Sequence, residues 1–342
     1  MNPIRTLLVS SALAAALAAH SESAQAQVPP CGTVLTQSIR LTSDVYCPRG
    51  ENGYVIGKDN VTIDLNGFTI HGIRHGIMGL NSGIRAWGVN GFRLVGPGRI
   101  EGFWGGMHLA GGDSHFVSNV DMSGNDFGVS LDETTRSTVE YSSATQFSLY
   151  SSMSAPSTGN AFVGNRGNRI HLNGCLVYNN RITGNTIGSA RWNGRVELYD
   201  GSHRNLLEGN KIFGAVYLGG AYDNDIQYNQ VTDPMANPGA SVPLITLAMG
   251  YDSCRGIGWV GSDGNRIFAN ELSVGTMAVH VDGDPLSKTS SQWNVIQANA
   301  ISNMKIAGLF FAALTNENDA RGNAYAGVPA IVIDQGQGNL WP

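Results

Sequence analysis

The pattern Asn-x-apolar-x-x-Asn-x-apolar recurs along this chain and sharply limits what it can fold into. Strict copies stand at Asn160/Phe162/Asn165, Asn180/Ile182/Asn185/Ile187, Asn205/Leu207/Asn210/Ile212, Asn224/Ile226/Asn229/Val231, Asn265/Ile267/Asn270/Leu272 and Asn294/Ile296/Asn299/Ile301. Weaker copies are Ser114/Phe116/Asn119, Ser137/Val139/Ser142 and Asn318/Ala320/Asn323. The second polar position advances in steps of 23, 23, 20, 25, 19, 41, 29 and 24 residues. A period near two dozen residues, built of strands too short to be independent, means stacked coils. Each coil is expected to turn at an asparagine in the left-handed conformation. Equivalent amides one coil apart then form a hydrogen-bonded ladder. Leucine-rich repeats share the period, but their leucine spacing and helical half are missing.

Composition agrees. The 342 residues include 45 glycines and 30 asparagines, and only 14 % are charged against 42 % hydrophobic. Disordered chains combine low hydrophobicity with high charge, and collagen needs glycine at every third position, so both are excluded. Net charge is −5, and the only lysines are Lys58, Lys211, Lys288 and Lys305. No basic face is available for a phosphate backbone, which argues against nucleic acid as a partner.

Residues 1–26 read as an export leader. Arg5 gives a positive start, 7–19 is an apolar run, and Ala24-Gln25-Ala26 is a small-x-small cleavage site. That run is too short to span a bilayer. A secreted or periplasmic protein beginning near Gln27 is expected. Export makes the four cysteines candidate disulfide partners, Cys31 with Cys47 and Cys175 with Cys254, two unpaired buried cysteines being the other reading of the second pair. Zinc is the alternative, but no C-x-x-C or histidine spacing supports it.

The segment Cys31-Gly32, Leu41, Asp44, Cys47, followed by Asp59-Asn60-Val61-Thr62-Ile63-Asp64-Leu65-Asn66-Gly67, resembles the opening of right-handed parallel β-helix repeat proteins of the pectate-lyase-like superfamily. The asparagine repeats match through about residue 325. The resemblance implies an all-β, right-handed parallel β-helix of about 10–11 coils. Residues 27–58 would form an N-terminal cap segment, and 59–342 the solenoid, with a loop inserted near 249–263. Members of this superfamily include lyases, hydrolases, epimerases and proteins without known activity. Polygalacturonase-type Asn-Thr-Asp, Asp-Asp and Gly-His-Gly motifs are absent here, and no calcium-pectate-lyase pattern is evident.

One more strand, reading apolar-x-apolar, lies between successive asparagine turns. It runs from Ile84/Ala86 through Met107/Leu109, Val129/Leu131, Phe147/Leu149, Ile170/Leu172, Val196/Leu198, Val216/Leu218, Ile245/Leu247, Val279/Val281 and Leu309/Phe311 to Ile331/Ile333. Period-two alternation turns these inward and their neighbours outward. One outward column then contains Arg85, His108, Ser130, Ser148, His171, Glu197 and Tyr217, continuing through Thr246 and His280 to Val332. The next contains Trp87, Asp132, Tyr150, Tyr199 and Asp282, and the one before contains Arg169 and Arg195. Coils stack about 4.8 Å apart, so His171 and Glu197 should be neighbours between the two arginines. Such residues can be merely solvated strand positions, with cross-strand pairs contributing about 0.2–1 kcal/mol each. The concentration of histidine, arginine and tyrosine at mid-solenoid instead suggests a carbohydrate groove.

A bridge from Cys175 to Cys254 supports that groove. It would fold the loop after 248 back across the Glu197 and Tyr217 coils, bringing Tyr251, Asp252, Arg255 and Trp259 beside them.

Glycoside hydrolysis needs paired carboxyl groups about 5–9.5 Å apart. Glu197 has no such partner in its columns, Asp132 being three coils or about 14 Å away, although Asp200 or Asp252 from loops could supply one. β-Elimination across a uronic acid fits the residue types better. Arginine neutralises the carboxylate, histidine or tyrosinate takes the C5 proton, and tyrosine protonates the leaving oxygen. The assignment is His171 or Tyr217 as base or acid, Glu197 as orienter of His171, and Arg195 with Arg169 as carboxylate binders. Tyr150, Tyr199, Asp132, His108, Trp259 and Arg255 complete the substrate-binding set. Epimerisation uses the same parts, and a non-catalytic carbohydrate-binding or structural β-helix is the alternative class. No cofactor is evident. His280-Val281-Asp282-Gly283-Asp284 could offer calcium oxygen ligands, though a solvated turn is the simpler reading. As metal ligands, lone His71, His75, His108, His115 and His203 are not suggested; they read as turn or surface residues. The partner is an anionic polysaccharide, and a solenoid whose coils satisfy one another is expected to be a monomer.

Overall fold

A three-residue apolar-x-apolar strand cannot cover its own edges, so each pairs with its equivalent one coil away. The computed structural model describes residues 28–73, 81–235, 242–254, 256, 258–284 and 288–342. The leader, His75 and Arg255 therefore lie outside the described residues. The chain forms a right-handed parallel β-helix with no helix among the described residues.

The first wall begins with Thr33–Leu35 and Tyr54–Ile56 and continues through Ser82–Trp87, Gly105–Ala110 and Phe127–Asp132. Ser143–Tyr150, Arg166–Asn173, Gly194–Tyr199, Lys211–Gly219 and Ile245–Ala248 follow in parallel register. The second wall is an 11-stranded parallel sheet from Ile39–Arg40 to Val295–Gln297. Short strands such as Thr69–His71 and Arg99–Glu101 open the third wall.

The inward column Ile84, Met107, Val129, Phe147, Ile170, Val196, Val216, Ile245, Val279 and Leu309 is in register and buried throughout. Burying each such side chain contributes roughly 1.5–3 kcal/mol. This stack of identical environments is the core.

Three details depart from expectation. Thr33–Leu35 and Tyr54–Ile56 add two first-wall rungs below the earliest strand foreseen, so stacking already begins within the disulfide-bridged N-terminal segment. At the last rung the register moves by one: Leu309 pairs with Val332. Val332 packs against the core, and Ile331 is 49 % exposed. An Ile-Val-Ile run offers either phase to an alternation argument.

The third concerns the ladder. The repeated asparagines are buried and not left-handed; the residue before each takes that conformation, as at Asn179, Arg204, Asp223, Tyr228, Ala269, Trp293 and Ala298, with φ from 53° to 57°. The asparagine side chains instead satisfy the backbone at the corner. Asn229 Nδ2 donates to Leu207 O at 3.0 Å and to Asn270 Oδ1 at 3.0 Å, while its Oδ1 accepts from Asn210 N and Nδ2, each at 2.9 Å. Buried polar backbone needs such partners. For the same reason the weak copy ending at Asn119 is one residue out of phase. Asn119 is left-handed, and Val120 N donates to Ser142 Oγ in the ladder's place.

Candidate functional site

The first wall's outward face carries the predicted cluster on adjacent rungs. His171 pairs with Glu197 and Arg169 with Arg195, while Tyr217 stands one rung beyond Glu197. Tyr150 and Tyr199 flank His171 edge-on, their ring centroids 5.3 and 5.6 Å away. The Tyr199 ring then meets Tyr217 at 5.2 Å. Gly219 makes this tyrosine packing possible: a Cβ there would lie 2.8 Å from Tyr199 Cδ1 and 2.9 Å from Tyr217 Cε1.

Hydrogen bonds distribute the roles differently from the expectation. Glu197, only 1 % exposed, is held by Arg169 through Nε and Nη2, and by Arg195 Nη1 at 3.2 Å. A carboxylate this buried requires such pairing. It accepts from the arginines and, at 3.5 Å, from Tyr199 Oη, so it positions those side chains, while His171 Nδ1 is bonded by Tyr150 Oη at 3.0 Å. Burial, reinforced by the Arg169 charge and opposed by Glu197, pushes His171 down to about 4. Burial raises Tyr150 and Tyr217, and lifts Tyr199 to about 12. At neutral pH all four rings are therefore uncharged. With the imidazole proton on Nε2, the Tyr150 phenol donates to Nδ1. A tyrosine here can serve as a base only by passing its own proton on.

A second pair, His108 and Asp132, was read only as individual contacts. His108 Nε2 lies 2.7 Å from Asp132 Oδ2, and Ser130 Oγ donates to Asp132 Oδ1 at 2.6 Å. The signal was available, because His108 faces Ser130 and Asp132 is the diagonal neighbour two positions along. Beside them opens a cavity of 250 Å³ whose lining includes Trp104, Phe127, Gln146, Ser148 and Tyr150. Tyr150 thus belongs to both clusters.

The inserted loop closes one side. The structure joins Cys175 to Cys254 and carries the chain back over intervening coils. Asp200 accepts from Ser253 N at 2.7 Å and Ser253 Oγ at 2.9 Å, and buried Asp252 accepts from Cys254 N at 3.1 Å. Of the two aspartates that could supply a second carboxylate, Asp200 thus pins the loop and Asp252 is buried within it. Tyr251 and Trp259 face each other on its antiparallel hairpin, 54 % and 62 % exposed. Cys31 and Cys47 form the other disulfide.

Elsewhere, His115 is buried rather than superficial, and His203 stacks between Tyr178 and Tyr222. His71 pairs with Glu101 at 3.0 Å. In the acidic run near residue 280, Asp282 Oδ1 accepts from the neighbouring Gly283 N. No three His, Cys, Asp or Glu side chains converge as around a metal among the described residues. No helix there is long and apolar enough to cross a membrane.

No curated protein matches the chain in sequence. Among solved structures it is similar to the A-module of the Azotobacter vinelandii mannuronan C-5 epimerase AlgE4. The identity is 15 %, the TM-score is 0.56, and 89 % of this chain and 91 % of that one are covered. It is also similar to DFA-IIIase from Arthrobacter chlorophenolicus A6 without its lid in complex with GF2, at 11 % identity and TM-score 0.49, covering 89 % and 83 %. At such identities the likeness is one of fold. Residues 37–235 match the family described as periplasmic copper-binding protein (NosD). Copper sites draw on thiolate, thioether and imidazole ligands. Here every cysteine is in a disulfide, and no three His, Cys, Asp or Glu side chains converge among the described residues, so these offer no thiolate or multi-histidine copper centre. Because the match spans more than half of the 342 residues, the chain belongs to the NosD family of pectate-lyase-like, right-handed parallel β-helix proteins.

Proposed function

We propose that this protein is exported, with its leader removed near Ala26, and acts on uronate-containing polysaccharide in the first-wall groove by β-elimination. The observation that carries this reading is the Tyr150–His171 hydrogen bond set beside Arg169 and Arg195 on adjoining rungs. Glu197 holds one edge of each guanidinium, and the remaining N–H groups suit a uronate carboxylate. Neutralising that carboxylate acidifies the sugar C5 proton. Tyr150 oxygen receives this proton while its own passes to His171 Nδ1. The electron pair left at C5 forms the C4–C5 double bond as the C4–O bond breaks. Tyr199 flanks the opposite side of His171, and its high pKa keeps it protonated to supply the leaving oxygen. Tyr217 behind it relays a proton from water to Tyr199, and His171 releases its extra proton to water, which restores all four groups. Uronate polymers are also the substrates named for the AlgE4 fold relative, a mannuronan C-5 epimerase.

The test is a screen of uronate polymers for an unsaturated, ultraviolet-absorbing product, run alongside His171→Ala. Product formed by the wild type and lost in the variant supports elimination. Solvent deuterium entering C5 without unsaturation would replace it with epimerisation. Binding with neither outcome would make the protein a non-catalytic carbohydrate binder. Failure to bind any anionic glycan removes the proposal.

A further inference from the structure

The groove's two halves differ in charge. Around His171 the balance is positive, Arg169 and Arg195 against Glu197. The 250 Å³ cavity beginning one rung earlier has no Lys or Arg among its described lining residues. His108 and Asp132 together carry no positive excess whichever way His108 is protonated. Arg85, one rung below His108, is stacked over Trp87 at 3.9 Å and does not line the cavity. A carboxylate placed there would meet Asp132 with no lining Lys or Arg to receive it.

What the cavity offers is suited to an uncharged ring. Trp104 and Phe127 pack with centroids 4.6 Å apart and present aromatic surface to one side. Asp132, Ser130, Gln146 and Ser148 supply hydrogen-bonding groups. Only glycine fits at position 128 in the lining, because a Cβ there would lie 2.4 Å from that of Ala144. Both Asp132 oxygens already accept one hydrogen bond, yet each retains acceptor capacity for a hydroxyl. Tyr150 joins the cavity to His171, so a ring in the cavity adjoins whatever is held by the arginines.

We infer that the groove takes a heteroglycan in which an uncharged sugar, in the cavity, neighbours the uronate held at Arg169 and Arg195. This rests on the proposed uronate reading and narrows its substrate class away from homopolymeric uronates.

Calorimetric titration of the full chain with short oligosaccharides tests it, using one homouronate and one alternating uronate with N-acetylhexosamine or hexose. The mixed ligands should bind about tenfold tighter, the gain of one well-placed hydrogen bond to a charged acceptor. Trp104→Leu and Asp132→Asn, checked for native circular dichroism, should each shrink that ratio towards one, whereas Arg195→Gln should weaken both ligand types alike. Equal or tighter homouronate binding, or a ratio unchanged in both cavity variants, overturns the inference and leaves the uronate groove standing. Absence of binding to either ligand type overturns both.

Discussion

His171 acts in this scheme as the neutral acceptor of the Tyr150 proton. Tyr150→Phe removes the bond to Nδ1 while keeping the ring, and should lower turnover about 10²–10⁴-fold with little change in KM; steady-state kinetics on the active uronate polymer would show it. Because His171 must be neutral and its pKa is held near 4 by burial and Arg169, the rate should be flat from neutral pH down to about 5 and fall through 4. A profile that breaks near 6.5 would contradict the buried assignment. The corner residues make a different prediction. Ala269 sits at φ 53°, a conformation costing an L-residue about 1–2 kcal/mol. Ala269→Gly should raise stability by up to about 1 kcal/mol, read from the urea midpoint, once glycine's greater unfolded-state freedom is subtracted.

At the scale of elements, the ladder should matter more than the corners it serves. Asn229→Ala deletes two donated and two accepted hydrogen bonds in a buried setting and strands Asn210 N, Leu207 O and their neighbours. A loss of about 3–5 kcal/mol is expected from several unsatisfied groups at 1–3 kcal/mol each, against near neutrality for the exposed Tyr228→Ala beside it. Rung registers were legible from the chain alone because alternation commits every second residue to the core, and a one-residue slip would expose Met107, Phe147 and Ile170 together. The last rung escaped, since Ile331, Val332 and Ile333 satisfy either phase. The left-handed site was assigned to asparagine from its general tolerance of that conformation, but burial and amide pairing claimed the asparagine and passed the strain back one position. Side-chain partners were the least legible part. Backbone register brings His171, Glu197 and Arg169 together, yet the choice of guanidinium over imidazole as partner for Glu197 depends on rotamers and burial that no spacing encodes.

For the whole molecule, pH is a stability variable. Burial depresses His115, His171 and His280 below the ordinary histidine value of 6.5. Between those depressed values and about 6.5 the unfolded chain binds more protons than the folded one, so stability falls as pH drops through that window. Melting temperature should decline from pH 7 to pH 4, and His171→Asn should flatten part of the decline. An acid-insensitive melt across that interval would count against all three burials. In a solenoid each coil touches only its neighbours, but the Cys175–Cys254 bridge ties positions 79 residues apart. Held between two handles and stretched, the chain should therefore yield its C-terminal coils one by one and then come up short, with everything between the two cysteines unable to contribute length. A reductant in the buffer should release that missing extension, turning a chemical bond into a mechanical fuse whose state can be read with a force probe.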